Sequence, residues 1–244
     1  MRIDKYMAEN ALAVSRAKAQ EMLKSGAVTV DGVPVTKPSF EVLAGMTVSV
    51  TENPLQRYVG RGGLKLEAAL DAFSLSPEGR VCLDVGASSG GFTHCLLSRG
   101  AAFVYAVDSG SGQLHPSLLA DARVSSMEGC NARALTPAML ASVPTFAVMD
   151  VSFISQTLIL PALRGVMTKG GVLVSLIKPQ FELDRSALGK GGIVKNERLA
   201  ARAVSRVLSE AEALGFALIG QIPSPILGGD GNKEFLAAFS LAPQ

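Results

Sequence analysis

The stretch RVCLDVGASSGGFTHCLLSRG, residues 80–100, decides how the chain is read. Its first half, RVCLDVG, is a short apolar run with β-branched members, which reads as a buried strand. Its second half, GGFTHCLLSRG, reads as a helix that stops at Gly100. Between them lies a turn of small residues, DVGASSGGFT, from Asp84 to Thr93. Small residues let a ligand approach the backbone, and the helix behind them presents unpaired amide groups.

Working outward, the same alternation continues. AFVYAVD, ARVSSME, TFAVMD and GGVLVSLIK read as further strands, and a long helix spans about residues 195–214. FALIGQI and EFLAAFSLA then form an adjacent pair of strands. Short apolar runs alternating with helices predict an α/β, Rossmann-like sheet, mostly parallel, and we read its last strand as antiparallel. In such sheets ligands lie beyond the carboxyl ends of the strands.

Asp108 closes the second strand, where a carboxylate can hydrogen-bond the ribose hydroxyls of a nucleoside. The dinucleotide fingerprint G-x-G-x-x-G is absent, since Gly86 is followed by Ala-Ser-Ser-Gly-Gly. Asp84 instead ends the first strand two residues before Gly86. A carboxylate there repels a pyrophosphate and suits a cofactor with a cationic amino-acid end. This favours S-adenosylmethionine, with an NAD-dependent dehydrogenase as the fold-level rival. The candidate cofactor residues are Asp84, Gly86, Ala87, Ser88, Gly90, Gly91, Phe92, Thr93, Asp108 and Asn131. Asn131 serves equally well as a loop cap. The segment Gly110–Leu114 walls the cofactor or is a plain turn.

Lys178 ends the apolar run of residues 172–177, and a lysine at the rim of a buried strand requires a negative partner. Asp150 ends TFAVMD; if the two strands are neighbours, the side chains meet at the mouth of the pocket. Lys65 precedes the sheet and Glu234 starts the last strand, so all four charges are expected at one rim. We read Pro179 as the residue that fixes where the strand stops. Gln180 and Phe181 beside Lys178 are placed to shape an acceptor pocket, with a core role as the alternative for Phe181.

The chain has 244 residues, 48% of them hydrophobic, and a net charge of +2, so partners are judged from local clusters. The three cysteines are unpaired by spacing and the two histidines have no metal-ligand spacing; neither a disulfide framework nor a metal site is expected. No apolar stretch has the length of a membrane span and the N-terminus carries no signal-peptide pattern, so a soluble, cytoplasmic protein is expected. Residues 185–206 hold Arg185, Lys190, Lys195, Arg198, Arg202 and Arg206 against the single acid Glu197. Lys190 and Arg198 are candidate RNA-backbone contacts in this cluster, and Arg61 is a third outside it.

The first fifty residues read differently. Residues 1–10 and SRAKAQEMLKSG are two short helices, the second capped by Ser15 and stopped by Gly26. AVTVDGVPV is a hairpin around Asp31-Gly32, and FEVLAGMTVSV adds a strand. Over residues 1–52 six basic residues balance six acidic ones, yet Arg2, Lys5, Arg16, Lys18 and Lys24 all lie in the helices. We place a small α+β domain at 1–52, a linker at 53–60 and the α/β domain at 61–244.

Two resemblances follow from these motifs. R-I-D-K-Y, S-R-A-K-A-Q, G-A-V-T-V-D-G, V-T-K-P and G-M-T-V-S-V resemble the S4-like RNA-binding domain. This implies that Arg2, Lys5, Ser15, Arg16, Lys18 and Lys37 face structured RNA. R-G-G-L-K-L-E, D-V-G-A-S-S-G-G-F-T, D-V-S-F-I-S and I-K-P-Q-F-E resemble the FtsJ-like 2′-O-ribose methyltransferases. Together the two halves resemble the TlyA, or hemolysin A-like, family of ribosomal RNA methyltransferases. The resemblance implies a catalytic Lys-Asp-Lys-Glu tetrad at Lys65, Asp150, Lys178 and Glu234. It further implies S-adenosylmethionine as cofactor, no metal, and a ribosomal RNA or ribosomal subunit as partner. In this reading Lys178 stabilises charge on the ribose oxygen, and Asp150 keeps it charged and aimed. The extent of the chain resembles the shorter family members, which act on a cytidine of 23S RNA, with 16S RNA a further target of others. The alternatives are a non-catalytic ribosome-assembly factor and, from the hemolysin label, a membrane-active protein.

Overall fold

A computed structural model of the protein describes residues 1–13, 15–50 and 57–242. The chain divides into two units, Met1–Arg57 and Tyr58–Gln244. Residues 53–56 of the expected linker lie outside the described residues.

The first unit has helices α1 (Ile3–Glu9) and α2 (Arg16–Lys24), and strands β1 (Val28–Val30), β2 (Val33–Pro34) and β3 (Val48–Val50). Ile3 and Met7, one turn apart on α1, pack with Ala19 and Leu23 of α2 and with Val28 and Val30. Ser15 caps α2 by accepting a hydrogen bond from the Lys18 amide. Asp31 and Gly32 both have positive φ, 50° and 80°, the geometry of the tight turn that an Asp-Gly pair favours. The sheet order is β2-β1-β3, with both pairings antiparallel.

The second unit is built on a seven-stranded sheet. In chain order its elements are α3 (Gly62–Ala72), β4 (Val81–Val85), α4 (Gly91–Ser98), β5 (Phe103–Val107), α5 (Pro116–Leu119), β6 (Val124–Met127) and β7 (Phe146–Met149). They continue with α6 (Leu160–Val166), β8 (Val172–Ile177), α7 (Pro179–Glu182), α8 (Glu197–Ala213), β9 (Phe216–Pro223) and β10 (Phe235–Leu241). The strand order is β6-β5-β4-β7-β8-β10-β9. β6, β5, β4, β7 and β8 are mutually parallel, while β10 runs antiparallel to both β8 and β9. The α/β reading, including its antiparallel last strand, therefore holds. Every residue of β7 and β8 is buried, as expected of parallel strands covered on both faces. One core, with Leu66, Leu70, Phe92 and Leu96, lies under α3 and α4; the other, with Leu160, Leu163, Val204 and Val207, lies under α6 and α8.

The order reverses at β4: the chain builds outward to β5 and β6, then returns to place β7 on the other side. That topological switch point is where the strand ends diverge and a ligand crevice opens.

Candidate active site

β7 and β8 run side by side, and their carboxyl ends carry Asp150 and Lys178 to the switch-point rim. Lys178 Nζ lies 2.6 Å from Asp150 Oδ1 and also donates to Ser152 Oγ at 2.9 Å. The two side chains remain partly accessible, 13% for Lys178 and 21% for Asp150. Pro179 occupies the first turn of α7 and Lys178 its N-cap, so the proline starts a helix as well as stopping the strand.

Lys65 on α3 and Glu234, one residue before β10, form a second pair at 2.5 Å. Antiparallel pairing of β10 sets Phe235 opposite Ile177, which brings Glu234 to the strand end that carries Lys178. This pair is closed off, with side-chain exposures of 9% and 3%. Gly228 packs against it: a Cβ there would overlap Glu234 Oε1, so a larger residue would push the carboxylate out of its present position. Gly62, at the start of α3, faces Asp150, an added Cβ standing 3.7 Å from Oδ2. The four charges thus form two ion pairs, each with one carboxylate and one ammonium; Asp150 and Lys178 line the cavities at this rim, and Lys65 and Glu234 line neither.

Two cavities open at this rim. The larger, about 800 Å³, is lined by Gly86, Ser88, Asp108, Gly110, Asn131 and Ser152, among others. The smaller, about 190 Å³, adjoins the start of α4 and is lined by Arg61, Gly62, Ala87, Gly91, Phe92 and Lys178, among others. Gly86, Ser88, Asp150 and Ser152 belong to both. Gly86 has φ of 85°, and a Cβ there would collide with the Asp150 carbonyl oxygen. Only glycine lets the ends of β4 and β7 approach this closely.

Asp108 accepts from the Ser88 amide at 2.8 Å and the Gly110 amide at 2.7 Å, tying two loops of the larger cavity together. Asn131 accepts from the Arg133 amide and so caps a loop while lining the same cavity. Asp84, Gly90 and Thr93 line neither cavity. Asp84 is fully buried and accepts from Thr93 Oγ1 at 2.6 Å, while its second oxygen has no hydrogen-bond partner among the described residues. Burial is the main cause that raises its carboxyl to about 7, offset in part by the Thr93 hydrogen bond and reinforced by nearby Asp150. A Cβ on Gly90 would run into Leu118 and Leu114, so that glycine serves the packing of α4 against α5.

Three residues of the site escaped the sequence reading. Ser152 stands two positions after Asp150 and shares its lysine. Glu128 accepts from the amides of Gly112, Gln113 and Leu114, which hold its carboxyl below the usual range and fold the loop beside Asp108. Phe153 is 91% exposed, has φ of 64°, and stands 5.0 Å from the Phe181 ring.

The candidate RNA residues are spread over both units. Arg2 and Arg16 converge on Asp4. Lys5 pairs with Glu9, Lys18 pairs with Glu21, and Lys37 is exposed. Lys190 and Arg198 are exposed on the second unit, where Arg206 donates to the Glu182 carbonyl.

A doubly wound sheet whose crevice opens at the switch point defines the nucleotide-binding α/β class. The FtsJ-like methyltransferase family model matches residues 58–241, and the S4 domain model matches residues 1–48. The chain is 43% identical over 234 residues to the 16S/23S rRNA (cytidine-2′-O)-methyltransferase TlyA of Mycobacterium tuberculosis, covering 96% of this chain and 87% of that one. It is 41% identical to Hemolysin A of Brachyspira hyodysenteriae, covering 98% and 99% of the two chains. A solved structure of a candidate hemolysin from Streptococcus thermophilus superposes with a TM-score of 0.78 at 41% identity, covering 100% of this chain and 89% of that one. The chain belongs to the TlyA family of FtsJ-like methyltransferases with an S4 domain.

Proposed function

We propose that the protein transfers a methyl group from S-adenosylmethionine to a ribose 2′-hydroxyl of ribosomal RNA, a cytidine of 23S RNA being the first acceptor to test and 16S RNA the second. The observation that carries this reading is the Lys178–Asp150 pair, set where the two cavities meet. The larger cavity fits the cofactor chemically: its walls carry the carboxylates of Asp108 and Asp150, which favour a cationic ligand and disfavour a pyrophosphate. Asp108 would hold the ribose of the nucleoside, Gly86, Ala87 and Ser88 would admit the amino-acid end, and Asn131 would border the base. When bound, S-adenosylmethionine supplies a methyl on a cationic sulfur.

The residues of the chain supply positioning and charge. An ammonium has three N–H donors. Lys178 directs one to Ser152 and is ion-paired with Asp150, whose Oδ1 accepts no hydrogen bond among the described residues, so at least one donor is left for the acceptor oxygen. A free donor of Lys178 stabilises negative charge as it develops on the 2′-oxygen, in the manner of an oxyanion hole, while the hydroxyl proton leaves to water. Lys65 and Glu234 fix α3 and the start of β10 against each other, holding the rim in one geometry. Phe153 and Phe181 offer an aromatic wall on which an unstacked base can rest.

The test is incubation of purified protein with labelled S-adenosylmethionine and unmodified 50S and 30S subunits, followed by mapping of the modified ribose. Label on a ribose is expected from the wild type, and a loss of about a hundredfold to a thousandfold in rate from Lys178→Ala. Undiminished transfer by that variant would refute the assignment. The name of the Brachyspira relative raises a second reading, membrane lysis. Among the described residues no helix is long and apolar enough to cross a membrane. Leakage of lipid vesicles without methylation of ribosomes would favour that reading.

A further inference from the structure

Asp4 is fully buried at the start of α1, yet four donors reach it. Arg2 approaches bidentately, Nε to Oδ1 and Nη2 to Oδ2, both at 3.1 Å. Arg16 Nη2 and Gln20 Nε2, both from α2, reach Oδ2 at 3.0 and 2.8 Å. Two guanidiniums, one from the residue before α1 and one from α2, are thereby drawn onto one carboxylate, where without it they would repel each other. Their outer edges stay open, with the Arg2 and Arg16 side chains 50% and 55% exposed. Each guanidinium has five N–H groups, so most of its donors remain available after the contacts to Asp4. The backbone of Arg2 is held as well, by a bridge to Glu41.

We propose that Asp4 is a positioning residue for RNA: it spends its own charge to fix Arg2 and Arg16 as a rigid double fork that clamps a backbone phosphate. The inference rests on the reading of this unit as an RNA-binding domain. Planar forks bind phosphate with directional, charge-assisted hydrogen bonds, and prior immobilisation lowers the entropic cost of closing on it. Asp4 itself does not touch the RNA.

The sign of the effect makes the idea testable. Asp4→Asn removes a negative charge from an RNA-facing unit, so bulk electrostatics alone predicts tighter binding. Positioning predicts the opposite. With full-length protein and unmodified 50S subunits, Asp4→Asn is expected to raise the KM for the subunit about tenfold and leave kcat unchanged. Arg16→Lys conserves charge but cannot form the fork, and the same rise is expected from it. Unchanged or tighter binding by Asp4→Asn, with a normal melting profile, overturns the proposal. Should that variant unfold the unit, Arg16→Lys decides, and wild-type KM from it overturns the proposal. Failure of the wild type to bind the subunit, with S-adenosylmethionine binding intact, instead overturns the RNA reading and this inference with it.

Discussion

At the scale of single residues, the two ion pairs of the site have the same chemistry and different surroundings, and this separates what each does. Lys65–Glu234 is sealed from water, so removing one partner strands a buried charge. Glu234→Ala is expected to cost about 3 kcal/mol of stability, readable as a lowered denaturation midpoint. Lys178–Asp150 lines the cavities and is more accessible, so Lys178→Ala is expected to cost less stability than Glu234→Ala while abolishing transfer. Equal destabilisation by both variants would mean that the pairs do not differ in this way. Ser152 supplies a finer probe. It aims the ammonium without carrying charge, so Ser152→Ala is expected to lower kcat about tenfold with the KM for cofactor unchanged. Threonine keeps the hydroxyl and should restore most of the rate.

At the scale of elements, the unit β4–turn–α4 was legible because its signals are local: an apolar run, small residues and a helix stop. The same holds for the hairpin at Asp31-Gly32 and for the antiparallel β10. What could not be read depends on partners distant in sequence. Ser152 meets Lys178 across 26 positions, and Asp4 meets Arg16 across 12, so no window of periodicity contains both members. Asp84 illustrates a different gap. Its position suggested a ligand contact, but side chains alternate along a strand, and this one points into the α4 layer toward Thr93. The consequence is a pH effect. Its folded pKa, about 7, lies above its ordinary 3.8, so the native state binds a proton more tightly than the unfolded chain. Its contribution is therefore fully present below about pH 4 and lost as pH rises to about 7. Asp84→Asn, which mimics the protonated form, is expected to flatten the fall in stability across that interval. Urea midpoints that decline equally in both proteins between those pH values would rule the effect out.

At the scale of the whole molecule, the chain carries separate cores in its two units. The buried residues of the first core all lie within Ile3–Val42, and those of the other two within Tyr58–Leu241. The candidate cofactor residues belong to the second unit, and the clustered guanidiniums of Arg2 and Arg16 belong to the first. Arg16 has Asp4 as its partner and Asp108 has the amides of Ser88 and Gly110, so the two share none. Changes at sites with no shared partner add in free energy. Arg16→Ala is therefore expected to raise the KM for the ribosomal subunit and to flatten its salt dependence by about one phosphate contact. Asp108→Ala is expected to raise the KM for S-adenosylmethionine alone. Together they should lower kcat/KM by the product of the separate factors, within about twofold. A double variant no worse than the poorer single one would show that RNA docking and cofactor binding act as one unit, and would end the division of labour drawn from the two sets of cores.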